Sequence, residues 1–116
     1  MILEPSDLAR TIVDIVSDKK GEDIILLDTS QISIISDYFI VATGESERQL
    51  KAVASDIQKD LKTHSVYPLG VEGTPESGWI LLDYGSVIVH LLSPGMRDFY
   101  NLESLWAKAP VVVRMQ

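Results

Sequence analysis

Few residues in this chain of 116 have side chains suited to metal or thiol chemistry, since it contains two histidines and no cysteine. His64 lies at the predicted end of a helix, and His90 lies within an apolar strand. A zinc site usually needs three or four nitrogen or sulfur ligands that converge on one point. We therefore predict no metal and no cofactor, and we interpret His90 as a structural residue, hydrogen-bonded in or beside the core.

Asp83, Ser86 and His90 form a combination that could be mistaken for a hydrolytic triad. They lie on neighbouring strands of a predicted hairpin, so their side chains could approach one another. However, the sequence has no nucleophile-elbow motif and no identifiable oxyanion donor, and such chemistry depends on both. We interpret Ser86 as a turn residue and predict that the chain is not an enzyme.

The segment Gly44–Ser46 stands between a strand and a helix N-terminus, a position at which phosphates often bind. Glu45 and Glu47 flank this position, and their charges would repel an anion. No P-loop or dinucleotide-binding glycine pattern is present. A capped helix start, in which Ser46 and Gln49 have capping-box spacing, explains this segment better than a phosphate site.

Aromatic residues near the end of the chain favour binding over catalysis. The last third holds both tryptophans and two of the four tyrosines. Tryptophan, tyrosine and arginine dominate binding hot spots. For Phe99 and Trp106 a place in the core is at least as well supported. Trp79 and Tyr100 are the better candidates for exposed anchors, and Gly78–Gly85 is the predicted centre of a surface that grips a partner protein.

Hydrophobic periodicity predicts the elements that must position these residues. One helix is predicted at Ser6–Asp18, with Ser6 as its N-cap, and a second at Ser46–Thr63. Part of Met96–Trp106 is predicted to be helical, and Val111–Val113 to be a short terminal extension. The five predicted strands are Asp23–Asp28, Asp37–Thr43, Tyr67–Glu72, Trp79–Asp83 and Val87–Leu92.

The element order α-β-β-α-β-β-β-α predicts an α/β fold with a mixed five-stranded sheet and flanking helices. The unit Asp37–Glu72 predicts a parallel pair with a right-handed crossover, and the last two strands predict an antiparallel hairpin. Three strands are apolar at nearly every position, so both faces of the sheet need cover. Two helices can cover one face, and we expect apolar surface to remain on the other, as protein interfaces often have.

Composition and charge bound the class of protein. Hydrophobic residues make up 46% and charged residues 23% of the sequence, a balance typical of one globular domain, here residues 1–116. No apolar run is long enough for a membrane span, the N-terminus lacks a secretory pattern and cysteine is absent, so we predict a cytoplasmic protein. The net charge of −7 is explained by solubility alone, but it opposes nucleic-acid binding and would suit a basic protein partner.

Five pieces of the sequence resemble, in order and spacing, those of the ribosomal silencing factors, also called the Iojap family. Each piece alone is weak, but the five in order are highly specific, and the likeness covers nearly the whole chain from Asp23 onward. The pieces are SDYFIVATG (Ser36–Gly44) with Ser46, Arg48 and Gln49, then GVEG (Gly70–Gly73), GWILLDYG (Gly78–Gly85), VIVHLL (Val87–Leu92) and RDFYNLESLW (Arg97–Trp106).

The resemblance implies a mixed sheet related to nucleotidyltransferases but without their catalytic acids. It also implies a translational repressor that binds the large ribosomal subunit through the large-subunit protein numbered fourteen and sterically blocks joining of the small subunit. Members of the family are often homodimers. Carried over by position, the resemblance implies a partner-binding surface that includes Trp79, Ile80, Asp83 and Tyr100, with Glu72 and Arg97 nearby.

Strand alternation complicates that surface, because Trp79 and Asp83 share a face and Ile80 points away from them. All three reach one partner only near an edge or end of the sheet. Two other functions stay open at this point. One is a degenerate nucleotidyltransferase-like enzyme that still binds a nucleotide, against which the missing acid pair and the acidic loop at Glu45 and Glu47 argue. The other is a structural module whose apolar face only pairs with itself.

Overall fold

The computed structural model describes residues 4–34, 36–105 and 107–116, and at positions 103 and 105 it describes the backbone alone. The predicted helix end at Trp106 lies outside these residues. In chain order the elements are α1 (Pro5–Asp18), β1 (Glu22–Asp28), β2 (Tyr38–Thr43), α2 (Glu47–Lys62), β3 (Gly70–Thr74), β4 (Trp79–Asp83), β5 (Val87–Leu92), α3 (Pro94–Tyr100), α4 (Leu102–Leu105) and β6 (Val111–Met115).

The strands form one mixed sheet in the order β3-β4-β5-β2-β1-β6. β2 and β5 run parallel, and each other neighbouring pair is antiparallel. The predicted mixed α/β class is confirmed, but the predicted count of five strands is wrong. The sixth strand lies beside β1, with Met115 opposite Ile24 and Val113 opposite Leu26. Its run of β-branched valines suits the pleated edge of a sheet, so the terminal extension becomes a full strand.

The parallel pair predicted within Asp37–Glu72 is also wrong, because β2 pairs with β5 and not with β3. β3, β4 and β5 form a meander in which each strand is antiparallel to the next, as predicted for the hairpin of β4 and β5. β5 is buried along most of its length, whereas β3 is almost entirely exposed. A strand that is apolar on both faces is stable in the middle of a sheet, and the exposed strand is left at the edge.

Helices α1 and α2 cover one face of the sheet, which we call the helix side. Each helix turns an apolar stripe toward the strands, and the cluster between them includes Ile12, Val16, Leu50 and Ile57 from the helices. The strands contribute alternate residues to the same cluster. Within the described residues, no helix is both long and apolar enough to cross a bilayer.

The second face of the sheet, which we call the open side, has a smaller cluster. Ile25, Leu27, Val41 and Leu92 are buried there beneath Leu102 and Ala109, and Trp79, Ile88 and Met96 pack against them while half-buried. The short helices α3 and α4 form part of this cover and are separated at Asn101, whose φ of 46° ends α3 in the left-handed conformation. The expectation that one face keeps apolar surface is therefore confirmed.

Most element boundaries differ from their predictions by one to three residues, and two of the shifts have a local cause. α1 begins at Pro5 rather than after an N-cap at Ser6, because the fixed φ of proline suits the first helical position. β3 begins at Gly70 rather than at Tyr67, because Gly70 is the first residue of β3 that pairs with β4, opposite Asp83. The predicted cap of α2 is confirmed, since Ser46 Oγ accepts the Gln49 N–H at 3.1 Å.

Candidate functional site

A cleft of about 380 Å³ lies on the open side, between β3, β4 and helix α3. We call it the aromatic cleft. Aromatic and aliphatic side chains form most of its lining, and one carboxylate stands among them. Its lining residues are Glu72, Gly73, Ser77, Trp79, Leu81, Met96 and Tyr100.

Trp79 is fixed in the cleft by a histidine on the neighbouring strand. Its Nε1–H donates to Nδ1 of His90 at 2.9 Å. Because an indole nitrogen can only donate, His90 Nδ1 carries no proton in this arrangement. His90 is buried, and its ring lies 4.6 Å from that of Phe39. Burial lowers the pKa of His90 from 6.5 to about 4, so the imidazole is neutral at pH 7 and keeps accepting from Trp79. The structural interpretation of His90 is confirmed.

Tyr100 packs against the outer side of Trp79, with their ring centroids 4.5 Å apart. Phe99 meets Tyr100 edge-on at 4.9 Å. Tyr100 is 43% exposed and Phe99 is 76% exposed, so the aromatic group extends from the half-buried Trp79 out to solvent. The sequence favours Tyr100 as an exposed anchor, and the structure agrees. For Phe99 the sequence supports a core position at least as well, but the structure places it on the surface.

Alternation along β4 decides which of its residues reach the aromatic cleft. Trp79, Leu81 and Asp83 face the open side and are half-buried. Ile80 faces the helix side, is 4% exposed and belongs to the core beneath α2. The structure therefore does not bring Ile80 to the same surface as Trp79. Leu81 was not singled out from the sequence, although its period-2 relation to Trp79 could have identified it.

Two acidic residues lie on the open side at different distances from Trp79. Glu72 of β3 is opposite Leu81 and lines the aromatic cleft. Asp83 is at the far end of β4, about 13 Å from Trp79 along the strand. Its Oδ1 accepts the Gly85 N–H at 2.8 Å, which fixes the turn into β5. A partner must therefore extend beyond the cleft to contact both carboxylates.

Arg97 lies apart from the aromatic cleft, although it is on the same helix as Tyr100. It is 8% exposed, and its Nη1 donates to Thr43 Oγ1 at 2.9 Å in a buried position. This hydrogen bond ties α3 to the end of β2. Arg97 also lines a small depression whose acidic residues are Glu22, Asp23, Glu45 and Asp98. The position of Arg97 indicates that it supports the fold of α3 rather than the surface around Trp79.

The residues that the sequence offers for a triad or a phosphate site make structural hydrogen bonds instead. His90 Nδ1, which a triad aspartate would need to contact, is bonded to Trp79, and Asp83 is bonded to the amide of Gly85. Ser46 caps α2. Among the residues whose side chains are described, no three histidine, aspartate or glutamate residues gather as a metal site would require. The aromatic cleft, with Trp79 fixed by His90 and Tyr100 packed against it, is therefore the candidate site.

A family model described as "Ribosomal silencing factor during starvation" matches residues 3–116. The chain belongs to this family. Ribosomal silencing factor RsfS of Chromobacterium violaceum is 41% identical over 104 residues, which are 90% of this chain and 85% of that protein. Ribosomal silencing factor RsfS of Halalkalibacterium halodurans is 37% identical over 106 residues and covers 91% of both chains. The resemblance to the silencing factors is confirmed.

More distant relatives carry other names. "Mitochondrial assembly of ribosomal large subunit protein 1" of Mus musculus is 31% identical over 98 residues, which are 82% of this chain and 43% of that protein. The fold agrees with the sequence comparison. A crystal structure of a Chromobacterium violaceum protein superimposes with a TM-score of 0.86 at 40% identity and covers 96% of this chain and 94% of that one. The implied relation to nucleotidyltransferases stays a prediction.

Proposed function

We propose that this silencing-family protein represses translation by binding the large ribosomal subunit, through its ribosomal protein numbered fourteen, and that the bound protein blocks joining of the small subunit. No bond is made or broken in this mechanism. The family description and the names of the bacterial relatives support a role in ribosome silencing. The name of the mouse relative supports the large subunit as the target.

The aromatic pair of Trp79 and Tyr100, whose rings are inclined by 49°, is the observation that carries the proposal. The two rings are 4.5 Å apart, and Trp79 is held by His90, so the pair is ordered before any partner arrives. Ordered aromatic side chains lose little conformational freedom on binding, and they dominate binding hot spots. The cleft beside them is mostly apolar, which favours a partner that inserts an aliphatic or aromatic side chain.

Charge supports a basic partner on this surface. The chain has a net charge of −7, Glu72 lines the aromatic cleft and Asp83 faces the same side. Complementary charge raises association rates and excludes partners of like charge. A basic ribosomal protein fits these conditions, and we propose that Glu72 and Asp83 pair with its cations or amides.

Co-sedimentation with purified large subunits tests the surface. Replacing Tyr100 by alanine removes one ring of the aromatic pair and leaves the hydrogen bond between Trp79 and His90 in place. We expect Tyr100→Ala and Trp79→Ala each to weaken binding by about 2–4 kcal/mol, or about 30- to 1,000-fold. Tyr67→Ala is the matched control, since Tyr67 is 59% exposed and is not part of the aromatic cleft.

The result is informative only for folded variants, so each is first compared with the wild type by circular dichroism. Full co-sedimentation of folded Tyr100→Ala and Trp79→Ala would contradict this surface. The second step is subunit joining in a sucrose gradient, where the wild-type protein should keep the subunits apart. If the subunits join normally while the protein stays bound, the steric mechanism is wrong even though the binding surface is right.

We also propose that the free protein acts in the cytoplasm and forms homodimers. The partly covered open side supports this proposal, because apolar surface left exposed in a monomer favours self-association. Sedimentation equilibrium of the purified chain measures the association directly. A monomer at all concentrations up to about 100-fold above those used for ribosome binding would contradict the dimer and leave the ribosomal proposal untouched.

A further inference from the structure

A second groove lies on the helix side, between α2 and the edge strand β3, with a volume of about 340 Å³. We call it the edge groove. It is on the opposite face of the sheet from the aromatic cleft, because Ile80 lines it and Trp79 does not. Small and apolar residues form its floor, and two lysines stand among its lining residues. These are Ala54, Val71, Pro75 and Ile80 on the floor, with Lys51 and Lys59 from α2.

Strand β3 leaves one backbone edge open along this groove. β4 pairs with one side of β3, and no described strand pairs with the other. Natural proteins usually protect such an edge with prolines, lysines or a covering loop, because it can accept a further strand. β3 (GVEGT) contains neither lysine nor proline, and Val71 and the preceding Leu69 are 48% and 78% exposed. The outer edge of β3 therefore combines backbone that pairs with no described strand and apolar side chains, and it is irregular at Gly73, whose φ is 83°.

The charge of the edge groove is opposite to that of the chain as a whole. The sequence has 17 acidic and 10 basic residues, yet the groove is lined by Lys51 and Lys59 and by no carboxylate. Both lysines are exposed, and neither forms an ion pair with another described residue. Asp56 of the same helix is turned toward α1, where it pairs with Lys19 at 3.6 Å. The groove thus presents two cations that form no ion pair with a described residue, and Lys59 also borders a second depression lined by Asp18, Asp56 and Asp60.

The spacing of the two lysines matches the repeat of a β-strand. Lys51 and Lys59 are eight residues apart on α2, which corresponds to about 12 Å along a helix. Residues i and i+4 of a strand point to the same side and are about 13 Å apart. Two carboxylates at these positions of an added strand therefore match the spacing of the two lysines.

We propose that the edge groove docks an extended acidic segment of a second protein, which adds to β3 as a strand. Peptide-strand addition of this kind takes its affinity from main-chain hydrogen bonds and its specificity from alternate side chains. The side chains that enter the groove follow the order acid, aliphatic, acid at positions i, i+2 and i+4. The edge groove shares Gly73 with the aromatic cleft but lies on the other face of the sheet, and this proposal does not depend on the ribosomal one.

The probe is an acetylated and amidated peptide of sequence TETVTET, titrated into the full-length, isotope-labelled chain and followed by amide chemical shifts. We expect shift changes at Val71, Gly73 and along α2 near Lys51 and Lys59. The double variant Lys51→Glu/Lys59→Glu should weaken binding about tenfold or more, since two partly exposed ion pairs are lost and reversed. Binding should also weaken with added salt.

Matched controls separate docking from general electrostatics. Lys62→Glu/Lys108→Glu makes the same change in net charge outside the groove and should bind TETVTET like the wild type. Tyr100→Ala should also bind it normally, and the groove variants should still co-sediment with large subunits. The proposal is overturned if TETVTET causes no shift changes at the groove, or if the lysine-substituted peptide TKTVTKT binds equally well. It is also overturned if an oligouridylate binds there and TETVTET does not.

Discussion

Acidification should destabilise this protein through His90. The folded pKa of His90 is lowered by burial from 6.5 to about 4, so between these values the unfolded chain binds a proton that the folded chain does not. The contribution of neutral His90 to stability is therefore fully present above pH 6.5 and is lost as the pH falls from 6.5 toward 4. Linkage gives a loss of about 2 kcal/mol between pH 7 and pH 5, and about 3 kcal/mol by pH 4. Protonation would also place a hydrogen on Nδ1, where the Trp79 N–H now donates.

Urea unfolding followed by circular dichroism measures this loss, and His90→Gln is the matched control. Glutamine offers a carbonyl oxygen to Trp79 but does not titrate. Other groups also respond to acid: a hydrogen bond and repulsion from Glu45 raise the pKa of Glu22, and hydrogen bonds from Ser30 lower the pKa of Asp28. The control keeps these groups, so the difference between the two proteins isolates His90. The titration ends at pH 5, since the isoelectric point is near 4.6. Equal pH dependence of the two proteins would refute the reasoning.

Two substitutions test local features of the sheet by the same urea assay. Gly73→Ala should lower the free energy of unfolding by more than about 2 kcal/mol, because Gly73 has a φ of 83° and an added Cβ would overlap the carbonyl oxygen of Trp79. At Gly70 a Cβ would meet open space, so Gly70→Ala is the control and should change stability little. Equal effects at both positions would contradict this account. Tyr84→Phe should leave the free energy of unfolding unchanged or raise it by about 1 kcal/mol, because the buried Tyr84 hydroxyl has no hydrogen-bond partner among the described residues. A decrease of about 2 kcal/mol would instead indicate that the hydroxyl is hydrogen-bonded.

Local sequence signals predicted most elements well, because their causes are local. Ser46 and Gln49 have capping-box spacing, and α2 begins there. Period-3.6 patterns located both long helices, and short apolar runs rich in aromatic and β-branched residues located the strands β1, β2, β4 and β5. The errors concern pairing between distant segments. Ile24 near the start of the chain pairs with Met115 near its end, and no local pattern in either strand specifies the other. The placement of β5 beside β2 likewise follows from competition among strands for the buried centre.

The candidate site could be predicted in part for the same reason. Alternation along β4 is a local pattern, and it correctly separates Trp79 from Ile80. The hydrogen bond between Trp79 and His90 joins diagonal neighbours, since Trp79 is opposite Leu92 and His90 is opposite Leu81. Once the register of the hairpin is assumed, that contact follows from the sequence. The burial of Arg97 against Thr43 does not, because it depends on how α3 packs on the end of β2.

The two proposed surfaces differ in charge because they lie on opposite faces of the same two strands. On the open side, β4 presents Trp79 and β3 presents Glu72, so the aromatic cleft is apolar with an acidic component. On the helix side, the same strands present Ile80 and Val71, and α2 adds two lysines. A strand added beside β3 would turn alternate side chains toward the open side as well, next to Glu72, but the two lysines and the rings of the aromatic cleft lie on opposite faces of the sheet. If both proposals hold, substitutions at the two lysines and at the aromatic cleft should affect binding of the acidic strand and of the basic protein independently.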